Sequence, residues 1–163
     1  MRLTRASDYA VRVLVYLAGQ DGLARATREA IIENTGVPPA FLNKIVQRLV
    51  RAGLVSARPG VRGGCSLASP AQSISILQVV ESIDGPIQLS ECLSEPSPCP
   101  RAGYCTFRPL LDKLQREMIR ILSGATVADL ARDGADTLPC IPPPSPGVSP
   151  SRSSAIRCAC SRA

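Results

Sequence analysis

A chain of 163 residues with 45% hydrophobic side chains can bury one substantial core but not two, and with 3% aromatics and no Trp that core must be aliphatic, as where helices meet helices. The complete absence of His excludes His-based zinc sites, Ser–His and Cys–His catalysis, and an imidazole ligand to any metal cluster. The formal charge of +6 is concentrated at one end: residues 1–64 hold ten Lys and Arg against four Asp and Glu, residues 65–125 five against six, and the remainder four against three. A basic segment beside a neutral one points to a polyanionic partner, double-stranded DNA first.

The first element expected is a helix from Thr4 to Ala18, with Ala10, Val13, Leu14 and Leu17 on one stripe and Val11, Val15 and Ala18 beside it. So wide an apolar surface predicts burial on more than one side. Arg12 interrupts the stretch and Asp8 precedes it, so these residues are not expected to act as a secretory leader or a membrane span, and the protein is expected in the cytoplasm. Gly19 and Gly22 end the helix. Thr27 caps a short second helix through Asn34, which Gly36 stops. Pro38 and Pro39 open a third, where first-turn amides need no intrahelical partner. It should carry Leu42, Ile45, Val46, Leu49 and Val50 inward, with Asn43, Lys44, Gln47 and Arg51 together on the opposite face. Two short helices joined by a tight glycine turn, the second polar and basic outside, form a helix-turn-helix pattern.

A strand over Leu54–Ser56, a turn Arg58-Pro59-Gly60-Val61-Arg62-Gly63-Gly64 and a return over Cys65–Ala68 make a hairpin with two arginines at its tip. Placed directly after a helix-turn-helix it reads as a wing, whose glycines permit close approach to a sugar–phosphate backbone and whose arginines suit phosphate or minor groove. Asn43, Lys44 and Gln47 are the expected base-edge readers, and Arg51, Arg58 and Arg62 the backbone or minor-groove contacts. Ser75 and Gln78 form a capping box before a helix with Ile76, Val79, Val80 and Ile83 on one face, stopped at Gly85-Pro86.

Cys92, Cys99 and Cys105 follow, separated by six and five residues among Pro96, Pro98, Pro100 and Gly103. That is a loop able to curl three thiolates about one centre. Thiolates are soft ligands for iron–sulfur clusters, zinc or copper(I), but the C-x2-4-C pairs and four ligands usual for structural zinc are not visible in this loop. Redox-active thiols are the other reading. Beyond the loop, Phe107, Leu111, Leu114, Met118, Ile121 and Ala125 alternate four and three apart, the seam of a dimerisation helix. Thr126 and Asp129 begin a last short turn through Arg132. Residues 138–163 hold six of the fifteen prolines with many serines and no period, so a disordered tail is expected, with Cys140, Cys158 and Cys160 incidental to it.

The opening MRLTRASDYAVRVLVYLA, the segment FLNKIVQRLVRAGLV, the wing RPGVRGGCSLA, the helix ISILQVVESIDG and the three-cysteine loop occur in one order. Together they resemble the family of winged-helix iron–sulfur transcription regulators of the IscR, NsrR and RirA type, over residues 1–132. The resemblance implies a homodimer crossed at its long helix, reading a near-palindromic operator with recognition helices in successive major grooves, and an iron–sulfur cluster of two-iron or four-iron type on Cys92, Cys99 and Cys105. In the IscR-like branch a His stands three residues after the last Cys; here that position is Arg108, which cannot ligate. In the NsrR-like branch an Asp near the N-terminus of the partner subunit is the fourth ligand, and Asp8 stands at the matching place. By ligand pattern the chain is nearest NsrR. Cys65 departs from the family, where an aromatic is frequent, and reads as a small packed thiol.

The expected fold is therefore mainly α: a winged helix-turn-helix DNA-binding domain over 1–85, a cysteine loop over 86–106, a long dimerisation helix with its end over 107–137, and the tail. The expected function is a repressor whose operator affinity follows a cluster sensing nitric oxide, iron or redox state, the alternative being a regulator that senses oxidants through thiols without a metal. Without C-x-x-C, a His base or an acid pair, catalysis is not expected.

Overall fold

Thr4 starts the first helix by accepting the Ser7 amide on its Oγ1 at 3.3 Å, and α1 (Arg5–Ala18) follows. The computed structural model describes residues 3–20, 25–60, 63–94 and 96–137, with 133–137 as backbone only. Gly22, Arg62, the tip of the wing and the tail 138–163 with its three cysteines lie outside the described residues. The expected stripe of α1 is buried: Ala10, Val13 and Leu14 have no exposed surface and Leu17 very little. Ser7 joins them, its hydroxyl satisfied by the Thr4 carbonyl at 2.9 Å. The breadth of the stripe has its reason in the packing, since α1 meets four other helices and a strand.

Thr27 caps α2 (Arg28–Thr35) through the Ala30 amide, and Gly36 ends it at φ +66, the left-handed conformation that only glycine adopts without cost. With Pro39 in its first turn, α3 (Pro39–Arg51) buries Leu42, Ile45 and Leu49 against α1, as expected. Val46 is half-buried and Val50 is 40% exposed, so the inward face is narrower than the sequence suggested. At 100° per residue Val50 sits about a quarter-turn beyond the Leu42–Leu49 stripe, where α3 has no neighbour left to cover it.

The hairpin forms from β1 (Val55–Arg58) and β2 (Gly64–Leu67), antiparallel, with Val55 opposite Leu67 and Arg58 opposite Gly64. Ala26 bonds Cys65 in both directions at 2.9 Å, so the stretch before α2 serves as a third edge. That contact makes Gly64 obligatory: its φ is +145, and a Cβ there would sit 2.7 Å from the Ala26 carbonyl oxygen. The capping box opens α4 (Ile76–Asp84) as expected, with Ser75 N–H on Gln78 Oε1 at 2.9 Å and Gln78 N–H on Ser75 Oγ at 3.2 Å. Ile76, Val79, Val80 and Ile83 are buried beneath it.

After a loop comes α5 (Arg108–Gly124), and then α6 (Val127–Thr137), longer than the short turn expected through Arg132. Thr126 and Asp129 do cap it, Asp129 accepting from the Thr126 amide at 3.0 Å while its own amide bonds the Thr126 hydroxyl at 3.2 Å. What extends α6 is tertiary: it lies on α1, fully burying Val127, and a short bridge at Ser75 and Thr126 joins the two chain segments.

One polar knot ties the ends of this core. The Asp84 carboxylate, at the last residue of α4, accepts from the Thr4 amide at 3.2 Å and the Thr4 hydroxyl at 2.7 Å. Arg48 of α3 donates to the neighbouring Ile83 carbonyl at 2.6 Å. Partial burial pushes the Asp84 carboxyl up, but the hydrogen bonds from the Thr4 hydroxyl and amide, with the nearby Ser7 hydroxyl and the Arg48 charge, together outweigh it and hold it below its ordinary value. A carboxyl depressed by folding stabilises the fold above its unfolded pKa, and that contribution is lost as pH falls through the folded value. Asp84→Asn should therefore flatten the acid side of the stability profile, seen as melting temperature from about pH 6 down to about pH 3. Parallel acid limbs for the two proteins would show that Asp84 contributes nothing to it.

Candidate DNA-binding face and cysteine site

Asn43, Lys44, Gln47 and Arg51 all lie exposed on the outer face of α3, together as the helical spacing required. Arg58 is exposed at the end of β1, at the base of the wing tip; Arg62 lies outside the described residues. The face has a member that periodicity could not reveal. Arg28, first residue of α2, donates to Asn43 Oδ1 at 2.7 Å and to the Pro39 carbonyl at 3.2 Å. Behind this pair a small cleft separates α2 from α3, with Ile31, Val46 and Cys65 in its walls. Burial pushes the Cys65 thiol above its ordinary pKa, opposed by the Arg25 charge, which suits the packed thiol expected there.

The three loop cysteines are free and half-buried. A single 3-10 turn, Glu91–Leu93, is the only helical element between α4 and α5 among the described residues; the loop is otherwise held by hydrogen bonds. Cys92 Sγ donates to Ser90 Oγ at 3.3 Å, and the Cys92 carbonyl accepts from Ser97 Oγ at 3.1 Å and from Arg108 Nε at 3.1 Å. Arg108, placed where a His ligand stands in one branch of the resembled family, thus pins the loop to the first turn of α5. Gln115 repeats the device two turns further on, accepting the Leu89 amide at 2.9 Å. An open cleft of about 460 Å³ lies at the loop's end, with Cys105, Arg108 and Asp112 among its walls.

In donor chemistry the residues fit an iron–sulfur cluster: three soft thiols, none in a disulfide, on a loop whose one helical element is the short turn carrying Cys92. Among the described residues, however, no three Cys, Asp or Glu side chains gather at metal-holding spacing within one chain. Asp8 stands apart on the first turn of α1, exposed and ion-paired with Arg12 at 2.8 Å. The Arg12 guanidinium lies 5.9 Å from the Tyr9 ring centre, and Tyr9 meets Phe41 of α3 edge-on at 5.9 Å. Contacts therefore run from Asp8 to the start of the helix that carries Asn43.

The seam expected on α5 divides in two. Of its members Met118 and Ala125 pack on the core, with Ile119 and Leu122 beside them, whereas Phe107, Leu114 and Ile121, with Leu110 beside them, stay half or more exposed, and no residue of α5 is fully buried. Phe107, Leu114 and Ile121 stand one heptad apart, so the exposed strip is one side of a coiled-coil pattern. None of the described helices is long and apolar enough to cross a membrane.

Residues 3–133 match the profile of Rrf2, described as an iron-dependent transcriptional regulator. Among curated relatives, the HTH-type transcriptional repressor NsrR of Streptomyces coelicolor is 36% identical over 134 residues, 80% of this chain and 88% of its own. The protein aau3 of Rhizobium meliloti is 35% identical over 133 residues, 81% and 86% of the two chains. Among solved structures, CymR, the global cysteine regulator of B. subtilis, superposes with a TM-score of 0.68 at 23% identity, covering 82% of this chain and 98% of its own, which shows a shared fold. The matched region takes in every element described here except the last turn of α6, and the winged helix-turn-helix with its exposed basic face is of the kind that binds DNA. The chain belongs to the Rrf2 family of transcriptional regulators.

Proposed function

We propose that this protein is a homodimeric repressor whose hold on a near-palindromic operator follows the state of an iron–sulfur cluster on Cys92, Cys99 and Cys105, with Asp8 of the partner subunit as fourth ligand. The observation that carries the reading is the position of the three free thiols. Their loop is fastened by Arg108 to the root of α5, whose apolar strip is left uncovered, and so stands between the winged helix and the surface on which a second copy would pack. A cluster held there would supply a centre whose state changes with nitric oxide, iron supply or oxidants. The chain's own residues do the rest: Arg108 and Gln115 couple loop position to α5, and the Asp8–Arg12–Tyr9–Phe41 contacts couple the start of α1 to the start of α3. Two recognition helices about 34 Å apart would then engage successive major grooves.

A second reading, oxidant sensing by the thiols without metal, draws on the ungathered arrangement of the cysteines. Iron and sulfide content, visible absorbance and operator affinity of anaerobically prepared protein separate the two. The cluster reading expects coloured, iron-containing protein, loss of iron in each of Cys92→Ser, Cys99→Ser and Cys105→Ser, and retention in Cys65→Ser. Colourless, iron-free protein whose DNA affinity still changes with oxidant would replace it by the second.

A further inference from the structure

Arg28 begins α2, yet both terminal nitrogens of its guanidinium serve α3. Nη1 donates to the Asn43 carboxamide oxygen at 2.7 Å and Nη2 to the Pro39 carbonyl at 3.2 Å. In an α-helix the carbonyl of residue 39 receives the amide of residue 43, so the second acceptor lies at the foot of the Asn43 side chain. A guanidinium that holds it reaches Oδ1 from the backbone side of the carboxamide. The oxygen carries two lone pairs, and that approach takes the one on the Cβ side. The other lone pair stays free beside Nδ2, which has no hydrogen-bond partner among the described residues. A guanidinium has only donors, so the atom facing it is the oxygen, and the pair keeps the carboxamide from turning end for end.

We propose that Asn43 reads adenine in the major groove and that Arg28 is the positioning residue that fixes its carboxamide for that contact. The inference rests on α3 being the helix that enters the groove. Adenine alone of the four bases presents an acceptor, N7, beside a donor, the N6 amino group. The free edge of Asn43 is the complement: Nδ2 donates to N7 while the second lone pair of Oδ1 accepts from N6. Guanine offers two acceptors, N7 and O6, and one of them would face Oδ1. To escape that, the carboxamide would have to turn its oxygen out of the groove and give up the charge-assisted bond to Arg28. Arg28 thus acts against guanine without touching a base. Cytosine offers a lone donor and thymine a lone acceptor, so either forms one bond where adenine forms two. A planar fork spans Oδ1 and the Pro39 carbonyl; the single ammonium of Lys does not. Arg28 and Asn43 are both exposed, beside Lys44 and Gln47, on the surface such a contact would cover.

The full-length protein is used to select duplexes from a random library, and fluorescence anisotropy then measures affinity for duplexes substituted at each base pair of the selected half-site. The wild type is expected to prefer adenine at one position. There, purine, which lacks the N6 amino group, and 7-deazaadenine, which lacks the N7 acceptor, should each weaken binding about threefold to tenfold. In Asn43→Ala neither analogue should change affinity at that position. Arg28→Ala and Arg28→Lys should both narrow the adenine-over-guanine preference there several-fold and leave other positions alone, a pattern that a general fold defect does not produce. Half-site positions indifferent to both analogues would overturn the reading of adenine, and so would analogue effects that persist in Asn43→Ala. An unchanged preference in both Arg28 variants, with uniform loss of affinity and a shallower salt dependence, would make Arg28 a phosphate contact and overturn its positioning role.

Discussion

Glutamate at both Leu114 and Ile121 is expected to leave the protein folded, monomeric, and bound to its operator at least about a hundredfold more weakly. Both side chains are half or more exposed on α5 in the single chain and neither belongs to the buried core, so the substitutions cost the chain's own packing little. A large aliphatic side chain moved fully from water into an interface contributes about 1.5–3 kcal/mol, and each of the three on this strip besides Phe107, already half-covered, offers about half of that. Two carboxylates facing their symmetry mates would reverse that gain, because an unpaired charge is not tolerated in a dry seam. The affinity loss follows from linkage: once one half-site is held, the second reader binds at an effective concentration in the millimolar range, and a monomer forgoes this. Sedimentation would report the mass, circular dichroism the retained helix and anisotropy the affinity. An unchanged dimer mass would show that copies meet elsewhere.

Leu14→Ala should cost about 2–5 kcal/mol of stability, the range for emptying a packed aliphatic site. Leu14 has no exposed surface and lies midway along α1, the helix that touches α2, α3, α4, α6 and β2. No neighbour can relax into the space without loosening a second interface. Set against a total of about 5–15 kcal/mol for domains of this size, the loss is a large fraction, and the urea midpoint should fall accordingly. A change below about 1 kcal/mol would mean that the site collapses freely, contrary to its position among so many elements.

The elements that the sequence disclosed are those whose signals are local. Thr27 and the Ser75–Gln78 pair act within three residues of themselves, and the stripes of α1 and α4 repeat at helical spacing, so both kinds could be read directly. Val50 was misplaced because periodicity tells which side chains share a face, not how wide a face its neighbours cover. The length of α6 was hidden for a related reason: its support comes from α1, more than a hundred residues earlier. At the candidate site the residue types and spacings of the outer α3 face and of the cysteine loop were legible. The contacts that organise them were not. Arg28 with Asn43, Arg108 with Cys92 and Asp84 with Thr4 are single polar encounters between distant segments, and no repeating pattern announces them. In the sequence Arg108 reads only as a residue that cannot ligate; its grip on the loop is a property of the fold.

The attachment of α5 has a mechanical consequence. At its start Arg108 and Gln115 clasp the loop, and at its end the Ala125 carbonyl takes the Ile76 amide at 2.9 Å while Val127 is sunk in the core. A rod anchored at both ends cannot swing like a free arm. Any rotation imposed on it is delivered as torque to the first turn of α4, which one short connection joins to the hairpin's returning strand. In a dimer built on this rod, the distance and twist between the two reading heads would be set by its crossing angle. A lever so short would make small changes at the loop count most in the phase of the heads along the duplex, rather than in their reach.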